Sequence, residues 1–322
     1  MNETGHTAPG PGTIREAAAR IAGRVHHTPV LTNAAISRML GAEILFKCEN
    51  FQKVGAFKAR GATNAVFSLS AGELRKGVCT HSSGNHAQAL ARAAALAGAK
   101  AFIVMPSNSS RIKVEAVREY GGAVTFCEPT LEARESTLAE VRERTGAVEI
   151  HPYNDLRIIA GQATACLELV GETAPLDIIM APVGGGGLLS GTALSAHYFS
   201  PATQVIAAEP EMADDAYRSF RQKEFVQSVN PQTMADGLRT SLGTLTFPII
   251  LQHVSDIVTC SEASIIRAMR LIWERMKILV EPSSAVPLAA LLEGKADIAG
   301  KRVGIILSGG NVDLDALPWI KP

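Results

Sequence analysis

Four short segments of this chain hold residues that could do chemistry together. In Lys47 to Gly61, KCENFQKVGAFKARG, Lys58 follows the small residues Gly55 and Ala56 and precedes a helical run. An amine at such a junction can face a cleft, and one held away from water loses proton affinity and can condense with an aldehyde. The same position also suits a solvated charge at a helix start. Gly184, Gly185, Gly186 and Gly187 follow the apolar run that begins at Ile178 and precede Leu188, Leu189 and Ser190. Four glycines let a backbone turn tightly with its N–H groups pointing inward, and the helix N-terminus behind them adds positive potential, which together cradle a phosphate. A purely structural turn is the competing interpretation. No Lys-Ser or Lys-Thr closes the segment, so it is not a Walker loop, and it lacks dinucleotide-fingerprint spacing.

The third segment, Ser82-Ser83-Gly84-Asn85-His86, opens an alanine-rich helix. Hydroxyls, an amide and a helix N-terminus converge there and could seat a carboxylate or a phenolic oxygen, unless Ser83 or Asn85 merely caps the helix. The fourth, Ser308-Gly309-Gly310-Asn311, could bring a hydroxyl from a strand end into the same crevice.

In this order the four segments closely resemble fold-type II pyridoxal-phosphate enzymes, over about Thr28 to Leu314. Within them the chain is most similar to the group of serine racemases, serine/threonine dehydratases and 3-hydroxyaspartate dehydratases. The resemblance implies that Lys58 is the Schiff-base lysine, that Phe57 and Asn85 flank the cofactor ring, and that Gly184 to Gly187 hold its phosphate. Ser308 would set a neutral hydroxyl against the pyridine nitrogen, favouring elimination over transamination. Ser82, Ser83, Asn85, His86 and Thr240 would bind substrate, and Ser83 would also stand on the ring face opposite the lysine, as in the racemases. Arg134 matches an arginine that meets the distal end of dicarboxylate ligands, although Glu132, Glu135 and Glu140 around it also fit a solvated helix face. Glu209, the Ala213 carbonyl and Asp215 match a divalent site that suits magnesium, or calcium or manganese. The implied activity is a pyridoxal 5'-phosphate-dependent ammonia-lyase acting on 3-hydroxyaspartate, serine or threonine. Amino-acid racemisation is the alternative; a β-replacement synthase and a non-catalytic amino-acid sensor are weaker ones.

These residues need strand ends and helix starts to position them. Apolar, β-rich runs occur at 42–46, 77–80, 101–105, 123–126, 178–183, 205–208 and 303–307, separated by stretches of helical period. The alternation predicts βαβ units and an α/β fold with mainly parallel twisted sheets flanked by helices, and the resemblance implies the tryptophan synthase β type. No linker divides the chain, so two interleaved domains are expected: 1–75 plus 154–322 binding the cofactor, and 76–153 closing over the substrate. Thr13 is expected to cap a first helix running to about Arg24.

The chain's 322 residues are 47% hydrophobic, with 31 Lys+Arg against 31 Asp+Glu. That balance gives no global attraction to nucleic acid or an anionic membrane, so a small amino acid must be recognised locally. Five scattered cysteines with no Cys-x-x-Cys pair argue against a disulfide framework or a zinc cage and fit a reducing cytoplasm. A homodimer is expected from the resemblance alone.

Overall fold

The computed structural model describes residues 7–320, apart from Ser83, Ser110 and the side chain of Ile112. Ten strands form two sheets. The larger contains β1 (Val30–Thr32), β2 (Glu43–Cys48), β7 (Ile178–Pro182), β8 (Gln204–Pro210), β9 (Asp256–Cys260) and β10 (Arg302–Leu307), in the order β1-β2-β10-β7-β8-β9. The smaller contains β3 (Val78–His81), β4 (Ala101–Pro106), β5 (Gly122–Cys127) and β6 (Val148–Glu149), in the order β5-β4-β3-β6. All pairs are parallel except β1 with β2. The sheets therefore follow the alternation of apolar runs, and every strand of the smaller one falls between Val78 and Glu149.

The central strands of the larger sheet are almost continuously apolar because helices cover both faces. Ile178, Met180, Val303 and Ile305 pack into one layer, and Ile179, Ala181, Val205 and Ile306 into the other. Two helices approach at backbone contact: a Cβ on Gly161 would lie 2.6 Å from the Gly61 Cα. This packs Lys58–Phe67, the helix that begins with the candidate lysine, against Leu156–Glu172.

One expectation is corrected at the N-terminus. The first helix is Pro11–Ile21 with Gly10 as its N-cap, so Thr13 lies inside it rather than capping it. Pro11, with φ preset for a helix and no N–H to satisfy, starts the helix three residues earlier.

Candidate active site

Parallel strands end on the same side of their sheet, so the loops after them share a crevice. The turns after β3, β7 and β10 open onto one cavity of about 720 Å³ whose wall includes Phe57, Lys58, Ser82, Asn85, His86, Arg134, Gly184 to Gly187, Thr240 and Ser308. Ser83 lies outside the described residues. The structure thus gathers segments spaced over more than two hundred residues, and of the expected residues it sets apart only Glu209, Ala213 and Asp215, which do not line the cavity.

Lys58 enters from a loop tied to the end of β10: the Phe57 N–H donates to the Ser308 carbonyl (2.9 Å), and Ala56 bridges Gly309. The Lys58 ammonium donates to the Pro152 carbonyl at 2.7 Å. Its pKa falls to about 8, chiefly through loss of hydration, with the Glu281 carboxylate pulling the other way. A neutral amine is therefore accessible near physiological pH. Because Glu281 favours the ammonium, Glu281→Gln is expected to shift the pH midpoint of aldehyde capture by Lys58 downward. An upward or absent shift in that titration would contradict the assignment.

The turn after β7 has the features of an anion cradle. Gly184 to Gly187 are buried, and among the described residues none of their N–H groups donates to a protein acceptor. Gly186 has φ of +86°, and the helix Gly187–Phe199 starts behind it. The Cβ directions of the turn are filled by protein: Leu238 at Gly184, the Tyr153 ring at Gly185, Thr246 at Gly186 and the Tyr153 backbone at Gly187. The bare N–H groups of this turn need an acceptor, and a phosphate supplies three. With the desolvated amine of Lys58 on the same wall, these residues fit pyridoxal phosphate.

Asn85 does not cap its helix, whose N-cap is Gly84. Its amide nitrogen instead donates to both Glu281 oxygens at 3.1 Å, and its oxygen accepts from Asn311 at 2.9 Å. Burial raises Glu281 to about 7, assisted by Asp236 and opposed by the Asn85 bond. Ser308 is buried beside Ser284, with 3.0 Å between their hydroxyls, and the Ser284 hydroxyl accepts from the Gly309 N–H at 2.6 Å. His86 meets the Ile150 carbonyl through Nε2 at 3.0 Å, and burial lowers its pKa to about 3, leaving it neutral. The carbonyl requires Nε2 to be the protonated nitrogen. His151, lowered to about 4 by burial, accepts the N–H groups of Tyr153 and Asn154 at Nδ1 and so pins the turn at the cavity edge.

Arg134 is partly exposed on the helix Leu131–Thr145 and is part of the cavity wall, its Nε donating to the Thr130 carbonyl at 3.2 Å. Facing the cavity from the other side, Thr240 shares a 2.9 Å hydrogen bond with the Tyr153 hydroxyl. Lys113, from the helix Arg111–Glu119, reaches Asp236 on the large-sheet side at 2.6 Å.

Tyr153, Glu281, Ser284, Lys113 and Asp236 were not anticipated. Glu281 and Ser284 had a signal in Glu-Pro-Ser-Ser, a helix start with proline at its first position, right after the apolar Leu279-Val280. Tyr153 lay in the turn-like His-Pro-Tyr-Asn-Asp segment, which read only as a boundary.

Outside the cavity, Glu209 and Asp215 are buried together. Glu209 accepts the Ala216 and Tyr217 N–H groups at 3.0 and 2.8 Å. Neither Asp215 oxygen has a hydrogen-bond partner among the described residues, although Ser228 lies close. Burial and mutual repulsion raise Glu209 well above the usual carboxylate range, and burial raises Asp215 to about 6. Two adjacent buried carboxylates, of which Asp215 has both oxygens unshared, fit a hard divalent cation. The other acidic cluster, His27 with Glu168 and Glu172, already has Lys47 and Arg60 as counter-charges.

Known proteins share this arrangement. The family model described as pyridoxal-phosphate dependent enzyme matches residues 21–309. The beta-hydroxyaspartate dehydratase of Paracoccus denitrificans is 52% identical over 93% of this chain and 95% of its own length. The solved serine racemase of Dictyostelium discoideum is 51% identical with a TM-score of 0.90, over 94% of this chain and 98% of that one. A solved threonine deaminase from T.th. is 42% identical with a TM-score of 0.90, over 95% and 99%. With its glycine cradle, its desolvated lysine and a family match over most of its length, the chain belongs to the pyridoxal-phosphate dependent enzymes.

Proposed function

We propose that this enzyme is an ammonia-lyase that converts 3-hydroxyaspartate to oxaloacetate and ammonia, with serine and threonine as lesser substrates. The observation that carries this reading is that Lys58, the glycine turn with its unsatisfied N–H groups and Arg134 line one cavity. The Paracoccus relative bears the matching name. When bound, pyridoxal phosphate supplies an electron sink for the pair left by the departing α-proton. Gly184 to Gly187 would hold its phosphate, Asn85 its phenolic oxygen, Phe57 its ring face and Ser308 its pyridine nitrogen.

Ser82, Asn85 and His86, at the start of the helix Asn85–Leu96, orient the substrate's α-carboxylate toward the helix N-terminus. Arg134 takes the β-carboxylate in two-point fashion. The freed Lys58 amine removes the α-proton, a role suited to a base with a pKa lowered to about 8. The β-hydroxyl, once protonated, leaves as water, and hydrolysis of the resulting enamine gives the keto acid and ammonia.

The test is keto-acid release from each stereoisomer of 3-hydroxyaspartate, serine and threonine. One 3-hydroxyaspartate isomer should be turned over fastest. Arg134→Ala should cost on the order of 10- to 100-fold in kcat/KM for that diacid, the worth of a charge-assisted bond, and little for serine. Racemisation is the second reading, supported by the Dictyostelium relative's name. Accumulation of an enantiomer without keto acid, abolished by Ser83→Ala, would put it first.

We also infer that Glu209, Asp215 and the Ala213 carbonyl hold magnesium or a similar ion, the support being the unshared Asp215 oxygens. Magnesium should raise the melting temperature by the equivalent of about 2–3 kcal/mol at a hundredfold excess over its Kd, and chelator should reverse it. No effect of either on the melt, or the same effect in Asp215→Asn, would remove the ion. Residues 76–153, which contain the whole smaller sheet, are read as a domain that closes on the substrate. Five unpaired, buried cysteines suit a reducing cytoplasm. The exposed Phe51 and Leu279, joined through the bond from Asn50 to the Leu279 carbonyl, are a candidate face for a homodimer. Among the described residues no helix is long and apolar enough to cross a membrane.

A further inference from the structure

Two residues beyond Lys58 on the same helix, Arg60 is fully buried, and all five of its N–H donors are used. Nε and Nη2 donate to Glu49 at 2.7 and 2.8 Å, Nη1 and Nη2 to Glu168 at 2.6 and 2.7 Å, and Nη1 also to Thr164 at 3.2 Å. Glu49 follows β2 and also accepts from Thr28 at 2.5 Å. Glu168 also accepts from the buried Lys47 at 2.7 Å. Three elements therefore meet at one guanidinium: the Lys58 helix, the end of β2 and the helix Leu156–Glu172.

Stability alone is a weak account of such a cluster, because removing charges from water offsets most of their attraction. Its geometry is more telling. Leu156–Glu172 begins four residues after Pro152, whose carbonyl receives the Lys58 amine. Lys58 thus belongs to one of the two helices that Arg60 joins, and Pro152 lies in the turn that leads into the other. The helices also touch at Gly61 and Gly161, where the Gly61 N–H donates to the Gln162 side chain at 3.2 Å. A planar guanidinium gripping two carboxylates permits little sliding between the helices.

We propose that Arg60 is a positioning residue for Lys58, clamped between Glu49 and Glu168 so that the Lys58 amine stays at the Pro152 carbonyl and faces the cavity. The proposal rests on Lys58 being the amine that captures the cofactor. Loss of the clamp lets the amine drift toward water, which misplaces it and restores its ordinary proton affinity.

The test follows capture of pyridoxal phosphate by the full chain through the visible absorption it develops, across pH, with thermal melts in parallel. Arg60→Met is expected to slow capture on the order of 10- to 100-fold, the usual cost of a reacting group displaced by about 1 Å. It should also move the pH midpoint upward from about 8. Glu168→Gln should act in the same direction, and Arg60→Lys should recover part of the loss. Glu172→Gln should change neither readout, because Glu172 reaches only His27 at 2.6 Å and Lys47 at 3.9 Å. Lower melting temperatures with capture rate and midpoint unchanged would overturn the proposal, as would an equal effect of Glu172→Gln. If Arg60→Met does not fold, Arg60→Lys and Glu168→Gln decide on the same readouts. Capture by Lys58→Ala as fast as by the parent chain would instead refute the role of Lys58 itself.

Discussion

Replacing Lys58 by alanine is expected to abolish the visible absorption of the cofactor-loaded protein and to lower keto-acid release by on the order of 10³- to 10⁴-fold, the upper range for loss of a general base. The size of the effect follows from its surroundings: the other basic groups on the same wall are unsuited to replace it. His86 and His151 are held far below neutrality by burial, His81 is lowered in the same way, Lys113 is paired with Asp236, and Arg134 and Arg239 are tied to backbone carbonyls. Lys58→Arg should be equally inactive, since it keeps the charge and cannot release a proton. Stopped assays and absorption spectra of both variants settle the matter, and turnover within tenfold of the parent would show that another group is the base.

The second large effect belongs to the glycine turn. A methyl group at Gly185 would overlap the Cγ and Cδ1 atoms of Tyr153. That ring is held by its hydroxyl to Thr240 at 2.9 Å and stands edge-on to His151, with 4.6 Å between centroids. Overpacking of this kind costs about 1–3 kcal/mol, and if the turn distorts to relieve it, cofactor affinity falls by roughly 5- to 150-fold. Equilibrium titration of Gly185→Ala with pyridoxal phosphate should show that loss. Gly171→Ala, where nothing lies within 4 Å, should bind as the parent does. Because the clash is with one ring, Tyr153→Ala combined with Gly185→Ala should recover more affinity than the single changes predict. Strict additivity would mean that the glycine is needed for another reason.

The strands framing the cavity could be read from sequence because they are long, apolar and rich in β-branched residues, as in Ile178 to Pro182 and Arg302 to Leu307. Val30–Thr32 and Val148–Glu149 were missed because two or three residues carry no periodicity, and Asp256–Cys260 was missed because Asp256 and Thr259 interrupt its apolar run. The candidate segments of the cavity were legible because each combines small residues with a strand end or a helix start, and all but the glycine turn add a chemically capable side chain. Glu281 was not, since a lone carboxylate gives no hint of the amide 196 positions away that it will hold. Arg60 and Glu49 both lie in the segment around Lys58, yet Glu168, which completes their cluster, is 108 positions from Arg60. Such pairings are decided by the packing of helices, which local pattern does not encode.

The Lys113–Asp236 pair spans the cleft between the elements of the two sheets, and both side chains are partly exposed, at 33% and 47%. An ion pair so wetted contributes about 1 kcal/mol at most, so the pair itself is broken in at least roughly one molecule in six at any moment. Added salt screens the pair further, so this bond across the cleft weakens as ionic strength rises.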